Sequence, residues 1–183
     1  YLRLPLTPME EAHEAVLVAE MKKAGINTVR IGLSDAKSTL KTLEAAKAAG
    51  LKVLACAYAN MRPSAHPDNI GLYRETIRAI SGHEALFAYV LLDEPQANLH
   101  PLEDMLYASY RLVRENDPYT PVMLVEAPAL YAAYENTSKY CDILAVDPYT
   151  SAREDVLHYT AEHIGKAYEA TAYKMPVVSL FRT

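Results

Sequence analysis

Three apolar runs in this chain end alike. Leu86–Leu92 runs into Asp93-Glu94-Pro95, Pro121–Val125 into Glu126-Ala127-Pro128, and Cys141–Val146 into Asp147-Pro148-Tyr149. A strand interior cannot hold an unpaired charge cheaply, so each acid belongs where a strand leaves the core. Proline has no backbone donor and restricts its predecessor, so pairing should stop at Pro95 with Glu94 still extended. Carboxylates on neighbouring strand ends suit glycoside hydrolysis. One protonates the leaving oxygen while the other attacks, or activates water, on the opposite face. Glu94 is the candidate general acid, because a carboxyl at a semi-apolar strand end can have its pKa raised. Asp147 or Glu126 is the candidate partner. The plainer alternative is that each acid caps a following helix, which suits Asp147, just before Ser151, better than Glu94.

Other residues could serve the same rim. Asp93 is expected to orient Glu94 or to bind a sugar hydroxyl. Arg30 stands among Thr28, Val29 and Ile31, where a charge is costly unless paired, and the rim acids are its expected partners. An Arg reaching past the strand to solvent is the alternative. Tyr58, Asn60 and Tyr149 also lie at strand ends, as sugar-stacking and hydroxyl-binding groups would. His13, His83, His158 and His163 fall on helices or helix ends and read as surface residues. No His/Asp/Glu set has metal spacing, and no strand-end Lys suits a Schiff base, so neither a metal nor a cofactor is expected.

Strand-like and helix-like segments alternate to position these groups. Strands are expected at Tyr1–Leu6, Ile26–Leu33, Leu51–Tyr58, the three acid-ended runs, and Pro176–Leu180. The first helix should start at Thr7, with Pro8 in its first turn and Glu10 completing a capping box, and stop at Gly25. Further helices are expected over Ser34–Ala49, around Asp68–Ser81, and over His100–Asn116, Ala129–Tyr134 and Ala152–Tyr173. This alternation means parallel strands joined by helical crossovers. A doubly wound sheet would favour a Gly-rich phosphate turn after the first strand, and none exists. In a barrel all strands deliver their C-terminal ends to one rim, which would gather Glu94, Glu126 and Asp147. The expected class is therefore α/β, a (β/α) TIM-type barrel forming a single domain over residues 1–183. A full barrel takes eight strands and at least ~200 residues, so this one is expected to be truncated or to lack the eighth strand.

Composition bounds the partners. With 51% hydrophobic and 22% charged residues, the chain has a globular rather than disordered profile. A net charge of −5 and the lack of any basic run argue against nucleic acid. No apolar stretch approaches the ~20 residues of a membrane span. The N-terminus carries no basic-then-apolar signal pattern, and the chain begins at Tyr1 without a Met, which points to processing or excision from a longer protein. Cys56 and Cys141 lie in strand-like runs and read as buried free thiols. The 14 Tyr, in a chain with no Trp, suit a wet binding cleft as well as a surface.

Gly25-Ile26-Asn27-Thr28-Val29-Arg30 resembles the second-strand signature of the large retaining glycoside-hydrolase superfamily with (β/α)8 barrels. Leu92-Asp93-Glu94-Pro95 resembles its fourth-strand Asn-Glu-Pro motif, in which the Glu is the acid/base. Asp93 replaces the Asn, a variant found in poorly characterised glycosidase-like proteins. The segments from Asn116 to Val122 and from Cys141 to Tyr149 are similar to those proteins too. The resemblance implies a carbohydrate substrate and a secreted or periplasmic location. It departs at the seventh strand, where the superfamily has a nucleophilic Glu. Pro176-Val177-Val178-Ser179-Leu180-Phe181-Arg182 offers none. What carries over is an inverting or noncatalytic site centred on Glu94, the alternative to an enzyme being a carbohydrate-binding or scaffold barrel.

Overall fold

Runs of Val, Ile, Leu and Ala too apolar to face water on either side need helices over them, and the chain supplies a helix between successive strands. The computed structural model describes residues 11–56, 69–95, 103–127, 131–148 and 156–180. The expected strand Tyr1–Leu6 and the capping box at Thr7–Glu10 lie outside these. The strands are β1 (Thr28–Gly32), β2 (Lys52–Cys56), β3 (Leu86–Asp93), β4 (Val122–Glu126), β5 (Ile143–Val146) and β6 (Val177–Ser179). The helices are α1 (Glu11–Lys23), α2 (Ala36–Ala48), α3 (Asn69–Ile80), α4 (Glu103–Asn116), α5 (Tyr131–Thr137) and α6 (Val156–Ala170). All strand pairs are parallel, and the order across the sheet is β1-β2-β3-β4-β5-β6. Among the described strands the order never reverses, so they contain no switch point of the doubly wound kind. Among the described residues no pairing joins β1 to β6. Among the described residues, the barrel expectation is met as far as a six-stranded parallel sheet with a helix between successive strands.

The sheet has two apolar faces. On the helix side Val53, Ala55, Tyr89, Leu91, Leu124 and Leu144 pack with Leu43 of α2, Ile77 of α3, Val113 of α4 and Ala167 of α6. The other, inner face carries smaller groups: Cys56, Ala88, Val90, Met123, Val125, Ile143 and Ala145. Helix stops fall where glycine was expected to place them. Gly25 and Gly50 have φ of 74° and 68°, the left-handed conformation that ends α1 and α2 at little steric cost. Asp35 caps α2, its carboxylate accepting from the Ser38 N–H at 3.0 Å. The short helix expected at Ala129–Tyr134 is carried on by α5 to Thr137 and by a 3-10 turn, Ser138–Tyr140.

The N-terminal end of the sheet is held by acids of its own. Asp117, fully buried after α4, accepts from the Tyr89 hydroxyl at 2.9 Å and from the N–H groups of Tyr119 and Thr120 at 3.2 and 3.1 Å. Burial alone would raise its pKa, but the hydrogen bonds from Thr120, Tyr89 and Tyr119 outweigh it and hold the carboxyl below its ordinary value. Asp142 accepts from the Val122 N–H at 2.9 Å and so joins the starts of β4 and β5. Replacing Asp117 with Ala strands a buried hydroxyl and two amides, and should cost about 2–3 kcal/mol, read as a lower urea midpoint at unchanged slope. The native carboxyl is depressed relative to the unfolded one. Its stabilisation is therefore complete above pH ~4 and drains as the pH falls through the native pKa, a loss that Asp117→Ala should not show.

Candidate active site

The strand that ends in Asp93 and Glu94 carries one residue too many for its neighbour. From Val90 to Asp93 β3 takes three steps while β4 takes two, from Met123 to Val125, which makes a β-bulge. Strict alternation from Val90 would turn Leu92 to the inner face and Asp93 to the helices. Instead Leu91 and Leu92 both join the helix-side core, and Asp93, opposite Val125, belongs to the inner face. Glu94 follows with φ 47°, a left-handed conformation that costs a non-glycine residue of order 1–3 kcal/mol. The extended Glu94 expected from Pro95 therefore does not form. Its N–H is donated to the Val125 carbonyl at 2.7 Å, and the turned backbone brings the side chain to β5.

There it meets Asp147. The Asp147 N–H reaches the Glu126 carbonyl at 3.3 Å, extending the ladder past the end of β5. The Asp147 side chain shares a hydrogen bond with Glu94, and the residue is 3% exposed. Its carboxyl is pushed up to about 8, by burial first, then by the Glu94 charge and the hydrogen bond with it, and by the Asp93 charge. A carboxyl buried this close to another carboxylate gives up its proton reluctantly, so Asp147 keeps its own at a pH where an ordinary Asp has lost it. Asp147 Oδ1 is left without a hydrogen-bond partner among the described residues.

Glu126 is placed differently. It stands opposite Val146, whose side chain belongs to the helix-side core, and it is fully buried on that face. Its carboxyl is pushed up to about 7 by burial, against the influence of the Thr137 hydroxyl on α5 and with help from the Glu94 charge. Among the described residues neither oxygen has a well-formed hydrogen bond. The expectation of three acids facing one pocket is thus corrected. Glu94 and Asp147 come together, whereas Glu126 acts on them through its charge from the far side of the sheet. The physical reason is parity: Val125 faces inward, so the next residue on a regular strand faces the helices.

Arg30 lies opposite Leu54 on the inner face, with Nη1 3.6 Å from Asp93 Oδ2. Its Nε–H is donated to Cys56 Sγ at 2.7 Å. Burial pushes the Cys56 thiol up to about 11, with Arg30 opposing. Cys56 was read only as a buried thiol. Its contact with Arg30 depends on β1 and β2 lying side by side, which no local pattern encodes. Tyr58, Asn60 and Tyr149 lie outside the described residues. His163, read as a surface residue, is fully buried with its ring 4.2 Å from that of Tyr159. His83 is paired with Glu44 at 3.1 Å.

A cavity of about 200 Å³ opens on the inner face, its wall including Arg30, Leu54, Val90, Met123, Val125 and Leu180. Arg30 is the only charged group among its described residues, so the cavity is an apolar hollow beside the acids and does not contain them. A second hollow of about 280 Å³ lies between α3 and α4, away from every strand end. Among the described residues no group of three or more His, Cys, Asp or Glu is arranged to hold a metal ion, and no helix is long and apolar enough to cross a membrane.

No protein-family model and no curated protein matches the chain. Solved structures do. A GH2 beta-galacturonidase from Eisenbergiella tayi, bound to galacturonate, matches 96% of this chain over 32% of its own length, with TM-score 0.67 and 16% identity. A beta-D-glucuronidase of Dictyoglomus thermophilum matches 92% of this chain over 32% of its own, with TM-score 0.67 and 18% identity. A Bacteroides uniformis beta-glucuronidase matches 92% over 22%, with TM-score 0.69 and 16% identity. The likeness is one of fold, and the chain spans about a third or less of the length of each.

The raised carboxyl of Asp147 fixes a sign. The native state keeps its proton up to pH ~8 while an unfolded Asp loses it near 4, so stability falls as the pH rises between these values. The urea midpoint should therefore be higher at pH 6 than at pH 8.5. In Asp147→Asn that difference should shrink, the remainder coming from Glu126.

Proposed function

We propose that this chain is a (β/α)-barrel-type domain of a glycoside hydrolase-like protein that acts on a carbohydrate, with Glu94 as the general acid. The observation that carries the reading is the hydrogen bond between Glu94 and Asp147 at the C-terminal end of the parallel sheet. A general acid needs a proton at hand at neutral pH before it can protonate a glycosidic oxygen, and Asp147 holds one against Glu94. Of the two, Glu94 is partly exposed and Asp147 is not, so Glu94 is the member that meets substrate and Asp147 the one that keeps it supplied. Glu126, buried behind the sheet, tunes the pair by charge. Arg30 and Asp93 form a polar contact surface beside it, and Tyr58, Asn60 and Tyr149 are assigned to sugar binding from their places in the sequence at the ends of apolar runs. The likeness in fold to parts of uronide-cleaving enzymes supports the carbohydrate class.

The same geometry limits the mechanism. Acid and nucleophile flank the sugar at ~5–5.5 Å in retaining enzymes, and acid and base at ~6.5–9.5 Å in inverting ones. Glu94 and Asp147 share a hydrogen bond and leave no room for a sugar between them, so Asp147 is not the second carboxylate. Glu126 is buried on the other face. β6 and Leu180 after it carry no acid. That favours two outcomes over retention: inversion, with water as the attacking group, or binding without turnover. The second outcome is the alternative reading, a noncatalytic carbohydrate-binding or scaffold barrel.

A chromogenic-glycoside screen and a glycan array, run on wild type and Glu94→Gln, test the reading. Hydrolysis by wild type should fall by about 10²–10⁴-fold in Glu94→Gln while glycan binding persists. Turnover unaffected by the change would sink the acid role. Binding without turnover in both forms would select the noncatalytic reading.

A further inference from the structure

Resting on the carbohydrate reading, we infer that Cys56 is a positioning residue whose sulfur aims the Arg30 guanidinium at Asp93 and at a bound sugar. Three neighbouring strands each give one side chain to the contact. Arg30 on β1 stands opposite Leu54 on β2, and Cys56 lies two residues further along β2 on the same inner face. The arginine therefore runs toward the C-terminal end of the sheet to reach the sulfur. There its Nε–H is donated to Cys56 Sγ at 2.7 Å, and Nη1 comes within 3.6 Å of Asp93 Oδ2 on β3.

The chemistry of each group suits that task. A guanidinium carries its five donors in a rigid planar fork, so anchoring Nε sets the directions of Nη1 and Nη2. An unanchored arginine has rotamer freedom to lose when it meets a ligand, and that loss weakens binding. Cys56 is buried, and burial pushes its thiol up to about 11, so at neutral pH it is an uncharged acceptor. It holds the guanidinium without cancelling its charge, which stays directed at Asp93. Arg30 and Asp93 are partly exposed and Cys56 is not, so the sulfur acts on a ligand through Arg30 and not by touching it. Packing with Ala88, Val90 and Met123 asks only that residue 56 be apolar. The hydrogen bond adds a second demand, that it be an acceptor.

Two variants separate these demands. Cys56→Ser keeps an acceptor but sets a hydroxyl among apolar groups, whereas Cys56→Val keeps the apolar bulk and removes the acceptor. Stability, read as the urea midpoint, should rank Cys56→Val above Cys56→Ser, and sugar affinity should rank them the other way. The probes are methyl glycosides in gluco and galacto configuration, neutral and uronide, titrated by saturation-transfer NMR at pH 7. The tightest-binding probe should lose about tenfold in affinity in Cys56→Val and no more than about threefold in Cys56→Ser. The Arg30 Nε–H resonance should exchange slowly with water in wild type and Cys56→Ser, and be lost to exchange in Cys56→Val. A Cys56→Val protein that binds as wild type does, or keeps that resonance, overturns the inference and leaves the carbohydrate reading standing. Equal losses of affinity in both variants overturn it too, since they would mark the thiol as packing alone. Failure of every form to bind any probe overturns the carbohydrate reading, and this inference with it.

Discussion

Between Val90 and Asp93, β3 takes three steps where β4 takes two, and the positions of the acids at this end of the sheet follow from that mismatch. The extra residue sends both Leu91 and Leu92 into the helix-side core. It turns Asp93 inward, where Arg30 can reach it. The next residue is left in a left-handed turn, tied by its N–H to β4, with its side chain against β5. A regular β3 would have buried Asp93 among helices. Backbone strain at Glu94 is held in place by the two leucines packed on one side and the hydrogen bond to Val125 on the other, the combination in which strained residues persist.

The acids at the two ends of the sheet obey different electrostatics. At the N-terminal end Asp117 and Asp142 receive backbone amides, and Asp117 also receives a tyrosine hydroxyl. At Asp117 those donors stabilise the charged form, and both side chains serve as fasteners between loops and strands. At the C-terminal end Asp147 and Glu126 receive few donors and face another carboxyl or its charge. Burial then favours the protonated form, and the chain keeps protons there at a pH where an ordinary carboxyl has lost them. Of the two sets, the second is the one fit for proton transfer, and it lies at the end of a parallel sheet where such folds place their chemistry. Arg30 belongs with it: a guanidinium between a buried thiol and a rim carboxylate neutralises part of the acid cluster.

Alternation of apolar runs and helical segments was enough to read most of the scaffold from sequence: the parallel strands, the helices between them, and the glycine stops at Gly25 and Gly50. Local chemistry also marked Asp93, Glu94, Glu126 and Asp147 as strand-end acids, because charge and proline cannot stay inside a strand. Which way each acid faces was another matter. It depended on the bulge in β3, on the parity that turns Glu126 to the helices, and on the lateral pairing that puts Cys56 against Arg30. The buried position of His163 likewise reflects how α6 packs, and nothing in its local sequence signals it. Register and packing are relations between distant segments, so the residue types of this chain determined which groups could do chemistry, and only the tertiary structure decided that Glu94 and Asp147 would share a hydrogen bond while Glu126 would not meet them.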